Sequence, residues 1–239
     1  MRRLGVDEIL ALWERLRNAS SPARALAFAA RARDATPDVT GELSVGDRDC
    51  AIIGLRRATF GDVAPCFVRC PACTADLELE VDLAALEGGA PERPGELVIE
   101  RDDFVVRFRL PRALDMIALA AIADHHDAVA ALLDACVLRA ERAGDTIGAR
   151  RLPDDIRDAI AERIAELDPM AEITFALTCH ECGHGWSAPF DICTYLWREI
   201  DVEARRLLTE VDALARVYGW SEAEILALST TRRRAYLEL

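Results

Sequence analysis

Residues 178–185 read TCHECGHG, and two metal-binding patterns share that run. His180, Glu181 and His184 spell H-E-x-x-H, which on a helix sets two imidazoles one turn apart on a zinc ion, with a carboxylate beside the bound water. Cys179 and Cys182 spell C-x-x-C, half of a four-thiolate structural site. The first pattern is hydrolytic chemistry; the second is a scaffold.

An internal repeat decides between them. Shifting the sequence by 109 positions lays CPACTADLELEVDL, residues 70–83, over CHECGHGWSAPFDI, residues 179–192, without a gap. Both cysteines coincide, as do Asp82 and Asp191. Alternate positions after each pair are apolar: Leu77, Leu79, Val81 and Leu83 in one copy, Trp186, Ala188, Phe190 and Ile192 in the other. Period two is the mark of a half-buried strand. Cys66 and Val68 overlie Phe175 and Leu177 on the preceding side, so each C-x-x-C is expected at the tip of a strand–turn–strand unit. The peptidase reading needs a helix instead. Gly183 and Gly185 would each cost that helix about 1 kcal/mol, Pro189 follows, and the other copy has Pro71 and Ala75 in place of the histidines. A third ligand would have to come from Glu199 or Glu203. His184 is left to donate to a metal-bound sulfur or to face solvent.

Zinc favours four thiolates and one tip supplies two, so the expected cofactor is a single zinc held by Cys70, Cys73, Cys179 and Cys182. The alternatives are a site completed across a dimer, and no metal. The halves are separated by 105 residues. Closing a flexible loop of that length costs roughly 4 kcal/mol, against about 10–16 kcal/mol from a structural zinc site. Cys50, Cys66, Cys136 and Cys193 sit among apolar residues and read as small core side chains. Asp124, His125, His126 and Asp127 are adjacent on a helix, where neighbours point about 100° apart, and Asp127 is expected to be an N-cap. No catalytic residues are assigned.

The elements that must position these cysteines are mostly helical. In a chain of 239 residues with 51% hydrophobic content, a sizeable core is expected. Helices are predicted over 6–18 and 22–32 and from Ser44 to Gly61, with loops at Pro37 and Gly41. The first hairpin follows, then a Gly/Pro-rich link, EGGAPERPG. ELVIE and FVVRFRL read as a second hairpin turning at Arg101, Asp102 and Asp103. Helical patterns cover 114–143 and 154–167. A long amphipathic helix is expected after Cys193, with Leu196, Ile200, Leu207, Leu208, Val211, Leu214 and Val217 on its apolar side and Gly219 as its C-cap. Ser221 and Glu224 form a capping box, and Ser229 caps a last helix, TTRRRAYLEL. The fold class is therefore α+β, mainly helical: a split zinc ribbon of two β-hairpin knuckles with a β-hairpin and helices inserted between its halves. The segments are 1–61, N-terminal helices; 62–84, first knuckle; 85–171, insertion; 172–193, second knuckle; and 194–239, C-terminal helices.

Composition narrows function. Every one of the 29 basic residues is arginine, which excludes a P-loop lysine, a pyridoxal Schiff base and a lysine general base. A net charge of −13 opposes phosphate neutralisation, so nucleic acid is a disfavoured partner. MRRLGVDEILALWERL carries charges within its apolar run and reads as an amphipathic helix, no stretch reaches the length of a membrane span, and the chain is expected in the cytoplasm. In that setting, eight cysteines with two C-x-x-C pairs indicate metal rather than disulfides.

Three stretches, LRRATFGDVAPCFVRCPAC, LDPMAEITFALTCHECGHGWSAPFDICTYLWREID and YGWSEAEILALSTTRRRAYLEL, resemble baseplate proteins of contractile-tailed phages and of phage-derived extracellular contractile injection systems, a group that includes hub assembly factors. The resemblance implies a cytosolic tail component without catalytic residues, whose cysteine pairs match the four named above. It implies proline after the first cysteine of a knuckle and glycine after the second; His180 and Thr74 depart from that. The expected partners are baseplate or hub proteins, with Trp220, Tyr236, Arg232 and Arg233 as candidate docking residues and no small-molecule substrate. A zinc-ribbon nucleic-acid-binding regulator is the alternative reading, and a zinc hydrolase the third.

Overall fold

The computed structural model describes residues 2–86 and 96–239; the Gly/Pro-rich link, 87–95, lies outside the described residues. Glu8 reaches back to accept the Gly5 N–H at 2.9 Å and starts helix α1, Val6–Leu16. Its stripe of Ile9, Leu10, Leu12 and Leu16 is buried. Helix α2, Ser21–Arg33, follows. Where loops were expected at Pro37 and Gly41, the chain forms a five-residue helix, α3, Pro37–Gly41. Proline at the first helical position lacks only an N–H that no helix would use, and its φ suits the turn, so Pro37 opens a helix rather than breaking one.

Helix α4, Val45–Phe60, is capped by Ser44, which accepts the Asp47 N–H, and ends at Gly61, φ 97°. Unlike α1 it is buried on several sides, including Ile52, Ile53 and Leu55, so it is the central helix against which α2 and later elements pack. Strands β1, Val63–Arg69, and β2, Asp76–Asp82, make the first hairpin.

The insertion differs from its expectation. Strands β3, Leu97–Arg101, and β4, Phe104–Phe108, turn at Asp102 and Asp103, while Arg101, expected in the turn, closes β3 opposite Phe104. Helices α5, Ala113–Leu119, and α6, His125–Cys136, then occupy only part of the run read as helical. From Val137 the chain is strand: β5, Val137–Arg142, pairs with β4, and β6, Asp145–Ile147, pairs with β5. The antiparallel sheet has the order β3-β4-β5-β6. Ala143 and Gly144, both at positive φ, turn β5 into β6, and burial of Ala140 beside Val106 and Phe108 compensates for a pattern that alone suits a helix. Helix α7, Asp154–Leu167, lays Ile156 and Ile160 in that same core. The insertion thus encloses apolar side chains of its own. Asp124, not Asp127, caps α6, accepting the Asp127 N–H at 3.0 Å.

Strands β7, Thr174–Thr178, and β8, Gly185–Pro189, form the last hairpin. Asp191 then caps helix α8, Ile192–Tyr218, by accepting from the N–H groups of Cys193 and Thr194. Its 27 residues span about 40 Å. Ile192, Leu196, Ile200, Ala204 and Leu207 pack into the main core with α1, α2 and α4, and Gly219 ends the helix at φ 70°. Leu208 and Val217, expected on the apolar side, are exposed. Helix α9, Glu222–Ala227, opens on the Ser221–Glu224 capping box, and α10, Thr230–Leu237, on Ser229. The fold is α+β and mainly helical. No helix among the described residues is long and apolar enough to cross a membrane.

Candidate metal centre

Both ends of α4 hold the hairpins that carry the cysteines. At its C-terminal end the Arg56 guanidinium, 2% exposed, donates to both Glu199 carboxylate oxygens at 2.9 and 2.7 Å, to Gly61 O at 2.7 Å and to Val63 O at 2.9 Å. It lies over the Tyr195 ring, whose hydroxyl donates to Pro65 O at 2.8 Å. The root of β1 is thereby tied to α4 and α8. At the N-terminal end the buried Asp168 carboxylate accepts from Ser44 Oγ at 3.0 Å and from the Gly46 N–H at 2.9 Å, where the helix dipole favours negative charge. A Cβ on Gly46 would stand 2.3 Å from Asp168 Oδ1, so only glycine admits the carboxylate. That contact places the chain just before β7. The sequence offered no signal for either anchor beyond an arginine amid apolar residues and an aspartate before a proline.

The two hairpins repeat each other in backbone detail. Adding 109 to each β1–β2 pair from Pro65↔Glu80 to Arg69↔Asp76 reproduces the β7–β8 pairing, Thr174↔Pro189 to Thr178↔Gly185. In the first turn the Cys70 N–H donates to Ala75 O and the Thr74 N–H to Cys70 O, both at 2.9 Å; in the second Cys179 donates to His184 O and Gly183 to Cys179 O, also at 2.9 Å. Even the conformations match: Thr74 has φ 62° and Gly183 φ 72°. His180 and Thr74, the departures from the family pattern, leave the turns alike. Thr74 is a β-branched residue in the left-handed region, which costs roughly 1–2 kcal/mol. Thr74→Gly is expected to raise stability by about 1 kcal/mol in denaturant titration, and Gly183→Thr to lower it by about 1–2 kcal/mol. Equal effects of the same sign would show that the turns are not equivalent.

The tips face one another. Cys70 Sγ lies 3.7 Å from Cys182 Sγ, and Cys73 Sγ 3.6 Å from Cys179 Sγ, so each short approach runs from one hairpin to the other. All four sulfurs fall within 4.8 Å of one another. Thiolates bound tetrahedrally at about 2.3 Å stand about 3.8 Å apart, whereas a disulfide requires about 2.05 Å. No cysteine is in a disulfide. Cys70 and Cys179 are buried, Cys73 and Cys182 exposed, and Val68, Ala75, Leu77 and Trp186 surround the buried pair. These four cysteines can hold a metal ion.

Three of these thiols have shifted proton affinities. The Cys73 N–H, with help from that of Ala72, holds the Cys70 thiol down to about 6 despite burial. The Ala75 N–H favours a thiolate at Cys73, yet Cys182, burial and the other sulfurs push it up to about 12. Cys182 is raised too, against the His184 N–H, by burial and by Cys179 and Cys70. Like charges this close oppose one another, and a cation among the sulfurs would remove the conflict.

The other candidates do not converge. Among the described residues the four cysteines are the one group of His, Cys, Asp and Glu ligand atoms that comes together. His180 and Glu181 lie exposed 3.1 Å apart at the tip, and His184 stacks on Trp186 at 6.2 Å. Residues 179–184 form a turn rather than the helix H-E-x-x-H requires. Cys136 and Cys193 are buried, and burial pushes their thiols up to about 11 and about 12. Cys50 and Cys66 are half-buried.

At the C-terminal end Trp220 and Tyr236 are half-buried, packed with Tyr218 at ring separations of 4.7 to 5.5 Å, while Arg232 is exposed. Arg233 is elsewhere than expected: 1% exposed, it donates to Glu210 at 3.0 Å and to Leu228 O at 2.7 Å. It locks α10 onto α8 and is not presented to a partner.

Residues 31–192 match the family described as T4 bacteriophage base plate protein. No curated protein and no solved structure gives a significant match. The matched span begins in α2, contains both hairpins with all four cysteines, and ends where α8 starts; covering more than half of the protein, it shows that the chain belongs to the T4 bacteriophage base plate protein family.

Proposed function

We propose that this protein is a non-enzymatic part of a contractile-tail baseplate, of a phage or an injection system, acting as a structural component or as an assembly factor of the hub, with one zinc ion closing a split zinc ribbon. The observation that carries the reading is the convergence of two cysteine pairs, 105 residues apart, within a chain of the baseplate family. Zinc is the ion of choice for four thiolates in a tetrahedron, where it is closed to substrate and supplies stability rather than catalysis. The five segments named from the sequence then have distinct tasks. The two knuckles share the ion, the insertion between them folds on its own core, and the flanking helices supply the main core. The partners are baseplate or hub proteins met in the cytoplasm before the particle is complete. Trp220, Tyr236 and Arg232 contribute a C-terminal contact. A nucleic-acid regulator is not favoured at a net charge of −13, the more so with Arg233 consumed internally.

Deleting the gene from a tail-producing strain tests this. Tails should fail to complete, and a wild-type copy should restore them where a Cys73→Ser, Cys182→Ser copy does not. Mass spectrometry of finished particles then separates a resident subunit from an assembly factor. Normal tails in the deletion strain would refute the proposal.

A further inference from the structure

A groove of about 950 Å³ runs between the first hairpin, the end of β8 and α8. Phe60, Cys66, Phe67, Phe190, Tyr195 and Val202 line it. Two of these are large apolar side chains left in water: Phe67 is 74% exposed and Val202 67%. Val63, on the same face of β1 as Phe67, is exposed as well. An exposed Phe at the edge of a concavity costs solubility and contributes nothing to the core, which marks a contact surface.

Charge identifies what fits there. Phe67 stands opposite Glu78 in the hairpin register and Pro65 opposite Glu80, so both carboxylates share the face of Phe67. Neither has an ion-pair partner among the described residues, whereas Asp76 on the same strand is bound by Arg69 at 2.8 Å. Asp191 borders the groove on the α8 side, where Glu203 is already paired with Arg206, and among the described residues Arg198 is its one lining cation. The geometry also decides the mode of contact. Pro65 has no N–H, and its carbonyl already accepts from Tyr195, so β1 cannot extend an unbroken ladder to an added strand. The visitor must lie across side chains.

We propose that this groove docks an apolar segment flanked by arginine or lysine, supplied by another baseplate protein. The inference rests on the baseplate reading above, and makes the metal-ordered first hairpin the wall of a binding surface. Apolar anchors fill the space between Phe67 and Val202, while the flanking cations meet Glu78 and Glu80, excluding acidic segments.

The test places a benzophenone amino acid at Phe67 in the full chain, expressed with the remaining tail genes, and cross-links the assembly by light. Cleavage at acidic residues avoids selecting for basic peptides. The expected product joins position 67 to a peptide of a different baseplate protein with apolar residues next to arginine or lysine. Phe67→Asp, Val202→Asp and the pair Glu78→Lys, Glu80→Lys should each weaken capture of that protein by about tenfold or more, with metal content and thermal midpoint unchanged because these side chains are exposed. Cross-links only to a second copy of this chain, to nucleic acid or to an acidic segment, or none in assembled particles, overturn the proposal. Tails that require the gene yet assemble normally with Phe67→Asp remove the groove alone; tails that do not require it remove the baseplate reading.

Discussion

Cys73→Ser and Cys182→Ser should each abolish metal binding and lower the thermal midpoint by roughly 10 °C, while the double variant His180→Ala, His184→Ala keeps both. The cysteines are selected because their sulfurs approach across the hairpins at 3.6 and 3.7 Å, whereas the histidines lie outside that group. A ligand present at a thousandfold excess over its dissociation constant stabilises the native state by about 4 kcal/mol, and in a chain of this size each kcal/mol moves the midpoint by about 2–4 °C. Chelation of the wild-type protein should produce the same shift. Acid should do so too, because protons compete for the thiolates. The helical core should survive loss of the metal, since Ile52, Ile53, Leu196 and Ile200 pack in a cluster apart from the cysteines. Metal retained in either serine variant, or lost in the histidine variant, means that the ligands have been misassigned.

Arg56→Ala should cost about 3–5 kcal/mol, the effect expected when one member of a buried ion pair is removed. Glu199 loses both charged hydrogen bonds, and the carbonyls of Gly61 and Val63 lose their donor where α4 hands the chain to β1. Arg56→Lys should recover little, because an ammonium cannot reproduce the planar fork that spans a carboxylate and two carbonyls. Glu199→Gln should cost less than Arg56→Ala, as the backbone contacts survive. Urea titration of the three variants checks the order. A loss below about 1 kcal/mol for Arg56→Ala, in the range of a surface ion pair, would show that the anchor is dispensable.

The two cysteine-bearing hairpins of this protein were legible because their information is local and repeated. A period-two pattern, a cysteine pair and an aspartate recur at one spacing, and each feature is a contact of neighbouring residues. The C-terminal helices were legible for the same reason: Gly219 ends α8, and Ser221 and Glu224 open α9, each acting within a turn of its own position. What was missed is tertiary. Val137–Arg142 carries an apolar pattern compatible with a helix and becomes a strand only because β4 offers an edge. Pro37 reads as a loop residue in the sequence, yet its place at a helix start makes it an initiator. Arg233 reads as a docking residue in a run of three arginines, but Glu210, 23 residues away on α8, draws it into the interior. Asp168 and Arg56 follow the same rule: a buried polar group shows its partner only when the chain has folded.

The central claim is that one ion, bound by four sulfurs from two distant segments, joins the halves of this protein. X-ray absorption at the zinc edge of the purified full-length protein addresses it directly. The account predicts one zinc per chain and a first shell of four sulfurs at about 2.3 Å. A shell containing nitrogen from His180 or His184, or two ions per chain with two sulfurs each, would contradict it.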